Sequence, residues 1–449
     1  MKILFVAPWI PSRLRPRSLG LLRHLAGKHT VTFVGVRGNA DIIDDIAAVP
    51  LERAYIFPTF RPSALGRSLM GLLIGTSLQN AYARVPAAAR KVRTLLDNED
   101  FDAVHANVVR CAGLLPKDLR QPLIYDLDEY RSDFYFQVAG SNILAPRRLV
   151  ARIEGPRLMR LEREIAILSS AILFSSPSDV NGSSTQSYLV RSPHEPVPTT
   201  PRVAATKTVL FVGRLSYWPN VVGLTWFVHN AWPGILRSVP DATLQIVGAN
   251  PPSSIERLAS RNIEIVGPTP NLEPYYHNAR TAIVPIQYGT GVQMKLIQAL
   301  AAGVPCVATS RAVRNAGATP GIHALQADTR DQWITSVVRT LTSDDLAQSL
   351  HAAGAAWATE HYANTAITAS LDHVYGTLRR PPDAPRPDIE STASHIGGRN
   401  APDLRVRPQT RVKDNAPESD GEMDKEGPIM QVHIRSQGQH AVRALRTRK

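Results

Sequence analysis

Short apolar runs, each followed by a stretch with helical spacing, recur in two series along this chain, and that alternation admits few folds. A parallel strand covered by helices on both faces needs apolar residues on both sides, so it reads as a continuous run. In the first series, residues 2–7, 30–36, 54–57, 103–106, 123–127 and 171–174 have this character, and 18–26, 83–96 and 157–168 carry helical spacing between them. In the second, 208–212, 242–247, 263–266, 282–285 and 306–309 are strand-like, with helices expected at 220–239 and 292–302. Residues 332–341, 346–359 and 365–378 close the series as helices. The expectation is an α/β chain of two Rossmann-like, doubly wound domains.

Its 449 residues exceed what one hydrophobic core usually supports, which agrees with two domains. Periodic apolar residues vanish around Ser192-Pro193-His194-Glu195-Pro196-Val197-Pro198, the best linker segment. The division expected is therefore 1–191 for the first domain, 192–206 for the linker and 207–379 for the second domain with its closing helices. Beyond 380 a proline-rich, mixed-charge sequence to 449 has too little apolar surface to offset the entropy of ordering, and it reads as a disordered tail.

A formal net charge of +13 predicts attraction to anions without choosing among them. No zinc spacing, recognition-helix pattern or RNA-binding motif accompanies the charge, so nucleic acid is not an expected partner. Cys111 and Cys306 are the only cysteines and stand far apart, which gives neither a disulfide framework nor a metal site. The opening apolar run is too short for a signal core, and no run reaches the roughly 18 residues that a membrane helix needs. A cytoplasmic, soluble protein is expected, at the inner face of a membrane if the acceptor is lipid-linked. Residues 61–74 mix basic and apolar side chains, which fits a peripheral membrane-surface helix and fits a core helix as well.

The segment from Pro285 to Pro305 carries the most chemistry. A strand ends at Pro285, a turn follows through Gly289, Thr290, Gly291 and Val292, and a helix runs until Gly303. Glycines let backbone N–H groups approach a phosphate, and the open N–H groups at the helix start add positive partial charge. Lys295 lies about one turn into the helix, with Gln298 three residues on along the same face. The competing reading is an ordinary βα turn with a solvated lysine.

This stretch resembles the donor-site signature of retaining GT-B glycosyltransferases of the large family 4 group, in which a small-residue turn, a lysine and then Glu-Ala-Leu or Glu-Ala-Met, Ala, Gly and Pro recur in order. Val209-Leu210-Phe211-Val212-Gly213-Arg214-Leu215, Trp218-Pro219-Asn220, Ala242 to Gly248 and Leu272-Glu273-Pro274-Tyr275-Tyr276 resemble the family's preceding strands and turns in sequence. The resemblance implies two domains facing a cleft and Arg214 and Lys295 on the donor diphosphate. It further implies retention of configuration, with no metal and no cofactor besides the nucleotide-sugar co-substrate. Two positions depart from the pattern: Gln298 stands where a glutamate usually holds the ribose, and Thr290 where many relatives carry another glutamate. Glutamine keeps one acceptor oxygen and loses the charge.

In the first half, Pro8-Trp9-Ile10-Pro11-Ser12-Arg13, with Arg15 and Arg17, resembles the family's cleft-facing loop but lacks its glycine pair. Phe101 to Asn107 resembles a strand ending in two histidines separated by one residue, with His105 as the first and Asn107 replacing the second. Tyr125-Asp126-Leu127-Asp128-Glu129 ends the next strand, where relatives place a group at the reaction centre. His105, Asp126 and Asp128 are the catalytic candidates, Asp128 matching best by register. A packed strand histidine and helix-capping aspartates are the competing readings.

The expected activity is transfer of a sugar from a nucleotide-diphosphate donor to an acceptor hydroxyl on a carbohydrate or lipid-linked acceptor, as in polysaccharide or glycolipid assembly. Two others stay open: a catalytically inactive sugar-nucleotide-binding or scaffold protein, and a sugar-nucleotide epimerase of the same shape.

Overall fold

A computed structural model of the chain describes residues 1–38, 43–59, 61–141, 145–183, 186–193, 203–378 and 430–432. The apolar runs become strands because each meets covering helices on both faces of a sheet. In the first half these are β1 (Lys2–Ala7), β2 (Thr30–Arg37), β3 (Arg53–Pro58), β4 (Ala103–Asn107), β5 (Leu123–Asp128), β6 (Ala171–Phe174) and β7 (Ser187–Leu189). The second half forms β8 (Thr208–Val212), β9 (Thr243–Val247), β10 (Ile263–Gly267), β11 (Thr281–Val284), β12 (Cys306–Ala308) and β13 (Leu325–Gln326).

The sheets run β3-β2-β1-β4-β5-β6-β7 and β10-β9-β8-β11-β12-β13, with every one of these pairings parallel. Both reverse direction beside their first strand, between β1 and β4 and between β8 and β11. Such reversal points open crevices at the carboxyl ends of the strands, the usual ligand position in doubly wound sheets. The strands at 187–189 and 325–326 are too short to leave a period in the sequence.

Each sheet is sandwiched between two apolar clusters. Ile3, Phe5 and Phe33 lie on one face of the first sheet, with Leu4, Val34 and Tyr125 on the other. Phe211, Leu224 and Trp333 flank one face of the second sheet, and Leu210, Ile297 and Leu300 the other.

Three expectations change. The helix expected at 220–239 is two, Trp218–Asn230 and Trp232–Ser238, because Pro233 lacks the N–H needed to continue a helix yet suits the start of a new one. The helix expected at 157–168 begins earlier, as Ala145–Leu168, and carries Pro156 within it. Most consequential, the last helix, Asn364–Thr377, does not close the second domain. It buries Ile367, Leu371, Val374 and Tyr375 in the first domain's core beside Ile3 and Phe5. The helix Asp344–Tyr362 still packs Trp357, Ala358 and Tyr362 on the second sheet. The chain therefore crosses between domains a second time, after Tyr362.

Most of the linker expected at 192–206 and of the tail expected at 380–449 lies outside the described residues. Met430–Val432 of that tail form β14, antiparallel on the outer edge of β3.

Replacing Leu371, which is fully buried, with alanine should cost about 2–5 kcal/mol. Because the side chain fills the first domain's core, chemical denaturation should lower the unfolding transition of residues 1–191, not that of the second sheet.

Candidate functional site

The glycine turn is built as the sequence suggests. After β11 the chain passes through Gly289, Thr290 and Gly291 into the helix Met294–Ala301, whose N-cap, Gln293, makes no side-chain capping bond. Gly291 is held at φ +67, and a Cβ there would lie 2.7 Å from Glu129 Oε2 of the opposite domain. Glycine is required twice over, for its backbone angle and for the approach of the other wall.

Lys295 is not the solvated lysine of the simpler reading. Its Nζ donates to Asn220 Oδ1 at 3.0 Å and Gln293 Oε1 at 3.2 Å, and its stem lies against Gly213, where a Cβ would come within 3.1 Å of Lys295 Cε. Burial with only neutral partners pushes its ammonium down to about 8. Asn220 in turn donates to the Arg214 carbonyl at 2.8 Å, so the ends of β8 and β11 are tied together through this lysine. The Arg214 side chain is exposed, with Nε donating to Ser216 Oγ at 3.3 Å. Gln298 is half-buried one turn beyond Lys295, and Val292 packs against the second domain's core.

On the facing wall the three catalytic candidates separate. His105 is fully buried in β4, stacked on Phe5 with ring centroids 4.5 Å apart and with Nδ1 2.9 Å from the Tyr375 hydroxyl. Burial pushes its imidazole down to about 3, so it stays neutral. It is a packed strand histidine, since the returning last helix covers the face that would otherwise open to solvent.

Asp126 is also fully buried. Arg17 grips it, Nη2 to Oδ1 at 2.6 Å and Nε at 2.9 and 3.1 Å to the two oxygens. Asn107 Nδ2 donates to Asp126 Oδ2 at 2.7 Å and accepts on Oδ1 from Ser18 Oγ at 2.6 Å, and the Trp9 indole donates to Ser18 Oγ at 3.1 Å. This carboxylate anchors the loop after β1 and is not presented to the cleft. Neither aspartate caps a helix: the next one, Arg131–Ala139, starts after Tyr130 without a side-chain cap bond.

Of the three, Asp128 alone is partly exposed. It ends β5 at a register shift against β6, in the left-handed region at φ +66, with its side chain 34% exposed. Ser175 N and Oγ donate to its carbonyl at 3.0 and 3.1 Å, and Arg17 Nε lies 3.4 Å from Oδ1. Burial raises its carboxyl above the ordinary value against the pull of Arg17, and neighbouring Asp126 adds to the rise. A non-glycine residue in this backbone region costs free energy that a local interaction must offset, and such residues gather at functional sites.

The domains meet at the glycine turn. Gln137 Oε1 accepts from the Gly289 N–H at 3.1 Å, and Phe134 stands edge-on to Trp218, which stacks on Tyr288 at 5.5 Å. Beside them a pocket of about 320 Å³ is lined by Gln137, Gly289, Thr290, Gly291, Arg311 and Asn315. Gln137, Gln293 and Glu129 were not among the sequence candidates. Glu129 ends the motif that runs from Tyr125, but nothing in the period or spacing around Gln137 marks it.

Residues 206–343 match the sequence model of the family described as Glycosyl transferases group 1. Among solved structures, the sucrose-phosphate synthase of Thermosynechococcus elongatus superposes with a TM-score of 0.57 at 14% identity, over 84% of this chain and 98% of that one. Anabaena HepE, determined with UDP and glucose, gives 0.58 at 13% identity over 84% and 100%. The Escherichia coli trehalose-6-phosphate structure, bound with UDP-2-fluoro glucose, gives 0.57 at 13% over 85% and 99%. These likenesses show that the fold is GT-B. No curated protein matches the sequence.

Removing the charge of Asp126 leaves buried Arg17 with only the more distant, partly exposed Asp128 as counter-ion, so Asp126→Asn should lose about 3 kcal/mol of stability. Asp128→Asn should lose less than about 1 kcal/mol, because asparagine tolerates the left-handed backbone. Urea denaturation of the two variants measures the contrast; equal losses would place Asp128 in the structural network too.

Proposed function

We propose that this GT-B chain, with its group 1 glycosyltransferase domain at residues 206–343, moves a sugar from a nucleotide-diphosphate donor to an acceptor hydroxyl. The single observation that carries the reading is Lys295: an ammonium held by two neutral side chains, at the start of an uncapped helix beside a glycine turn. A half-buried cation held only by neutral side chains suits an anionic ligand.

As the bond from sugar to diphosphate breaks, negative charge grows on the leaving oxygen. Lys295, Arg214 and the first amides of the helix Met294–Ala301 stabilise that charge more than they stabilise the intact donor, which is the condition for catalysis. Thr290 and the two glycines shape the turn around the phosphates, and Gln298 offers its carbonyl to the ribose. Asp128 orients the acceptor hydroxyl and takes its proton. The reading includes retention of configuration and calls for no metal or cofactor besides the co-substrate, since side chains and amides supply the charge this step needs. HepE was determined with UDP and glucose, which makes uridine diphosphate the first donor moiety to test. Asn107 does not support the inactive-scaffold reading, because it serves the Asp126 anchor; Gln298 is the departure that remains, and turnover decides it.

The reading extends to a lipid-linked acceptor at a membrane surface. No described helix is long and apolar enough to cross a membrane. The helix Arg61–Leu73, however, is no core helix: Leu65, Leu69, Met70 and Leu73 are 59%, 68%, 57% and 81% exposed, and Ile74 just beyond it is 65% exposed. Arg157 donates to the Leu72 and Thr76 carbonyls at its end. An apolar ridge with basic neighbours, on a chain of net charge +13, suits the surface of an anionic bilayer.

By calorimetry, Lys295→Ala should weaken UDP binding by about tenfold or more. In the unmodified chain affinity should fall as pH rises through about 8, where the ammonium is lost, and the variant should lack that dependence. The folded value lies below the unfolded one, so charging this lysine costs stability, fully below about 8 and vanishing at more alkaline pH. Lys295→Met should therefore raise the melting temperature at neutral pH while lowering UDP affinity. Gln298→Glu should hold or raise UDP affinity. Sedimentation with phosphatidylglycerol vesicles should be lost in the Leu69→Ser, Leu73→Ser double variant and absent with phosphatidylcholine; retention in the variant sinks the membrane reading.

A further inference from the structure

The glycine turn of the proposed donor seat already carries side chains of the opposite wall. The Gly289 N–H donates to Gln137 Oε1 at 3.1 Å, so one of the turn's amides is bonded to the first domain. Glu129 lies against Gly291, close enough that a Cβ there would stand 2.7 Å from its Oε2. Next to them Phe134 meets Trp218 edge-on, with ring centroids 6.4 Å apart, and the Arg147 guanidinium lies 5.3 Å from the same indole. Trp218 in turn stacks on Tyr288, the residue before Gly289.

Both partners of the Gln137 contact are braced. Gln137 and Phe134 belong to the helix Arg131–Ala139, whose start is held by the buried Glu162: its carboxylate accepts from the Ser132 N–H at 3.0 Å and from Ser132 Oγ at 2.5 Å. Phe136 of that helix packs on Gly155, where a Cβ would stand 2.9 Å from the ring. In the second domain Asn315 Nδ2 donates to the Gly291 carbonyl at 2.9 Å and fixes the turn. With both sides already ordered, the contact forms at little cost in conformational entropy.

The two side chains offer the turn what a donor would offer it. A carboxamide oxygen on a backbone N–H replaces a phosphate or hydroxyl oxygen, and a carboxylate against the turn replaces an anion. Glu129 pairs with Arg131 at 3.1 Å. Burial raises its carboxyl above the ordinary value against the pull of Arg131, and Asp128 adds to the rise. A diphosphate arriving at the turn therefore meets a group of its own charge and an amide already in use.

We infer that the first domain occupies the donor seat itself: Gln137 on the Gly289 amide and Glu129 against Gly291 hold the cleft closed, and the donor binds once they withdraw. The strength of this contact is subtracted from the donor's affinity, because only the fraction of molecules with the turn uncovered can bind. The inference rests on the proposed donor seat and adds how access to it is regulated.

The test measures UDP binding to the full chain and to its Gln137→Ala, Gln137→Asn and Glu129→Gln variants, by calorimetry for affinity and by stopped flow for rates. Gln137→Ala should bind UDP about twofold to tenfold more tightly, the worth of one net hydrogen bond, through faster association at an unchanged dissociation rate. Gln137→Asn keeps the carboxamide but shortens its reach, so it should behave as the alanine variant does. Glu129→Gln should also bind more tightly, and melting temperatures identify any variant that fails to fold. Equal or weaker UDP binding by the folded Gln137 variants, or tighter binding that arises from slower dissociation alone, overturns the closed seat while leaving the donor reading intact. Absence of UDP binding in the unmodified chain and in every variant sinks the donor reading, and this inference with it.

Discussion

The buried pair of Arg17 and Asp126 is the contact on which the first half of the cleft depends. Arg17 reaches from the helix after β1 to the end of β5 and also donates to the Val190 carbonyl at 2.6 Å, just past β7. Through Asn107 and Ser18 the same carboxylate reaches β4 and the indole of Trp9. Two charges removed from water give little net stability, since desolvation opposes their attraction, but leaving either alone is costly. The pair therefore acts as a register pin: it admits one arrangement of four strand ends and penalises the others.

Opposite that pinned wall, the second domain presents the glycine turn and the uncapped helix start that we propose as the seat of the donor diphosphate. Its cation is Lys295, held by Asn220 and Gln293, and its closeness to the first domain is set by Gly291, which has no side chain to keep Glu129 away. With Gln137 accepting from the Gly289 amide, the walls touch at the turn where a diphosphate would enter.

Much of this was legible in the residue order. The strand runs survive almost to the residue, because a strand buried on both faces must be apolar throughout. The glycine turn and the helix that carries Lys295 were legible because a strand end, glycines and an apolar helical period are written in neighbouring residues. His105 and Asp126 were misplaced for a shared reason: each sits in a strand where a reactive group is expected, and only the contacts of Tyr375 and Arg17, 270 and 109 residues away in sequence, show them to be occupied. Arg110 and Gln137 lie in segments without periodicity, where nothing local distinguishes a cleft position from a solvated one.

By itself the sequence determined two doubly wound domains, the place of the bend between strand and helix that can hold a phosphate, and the residues at that bend. Those depend on local backbone chemistry and on burial periodicity, both written in neighbouring residues. Only the tertiary structure decided which domain owns the last helix, which carboxylate is fully buried on Arg17 and which stays partly exposed, and how Arg15 and Arg110, from separate segments, come to flank the Trp9 ring. Each of those depends on a partner distant in the chain, and an amphipathic helix or a lone charge carries no mark of the partner it will meet.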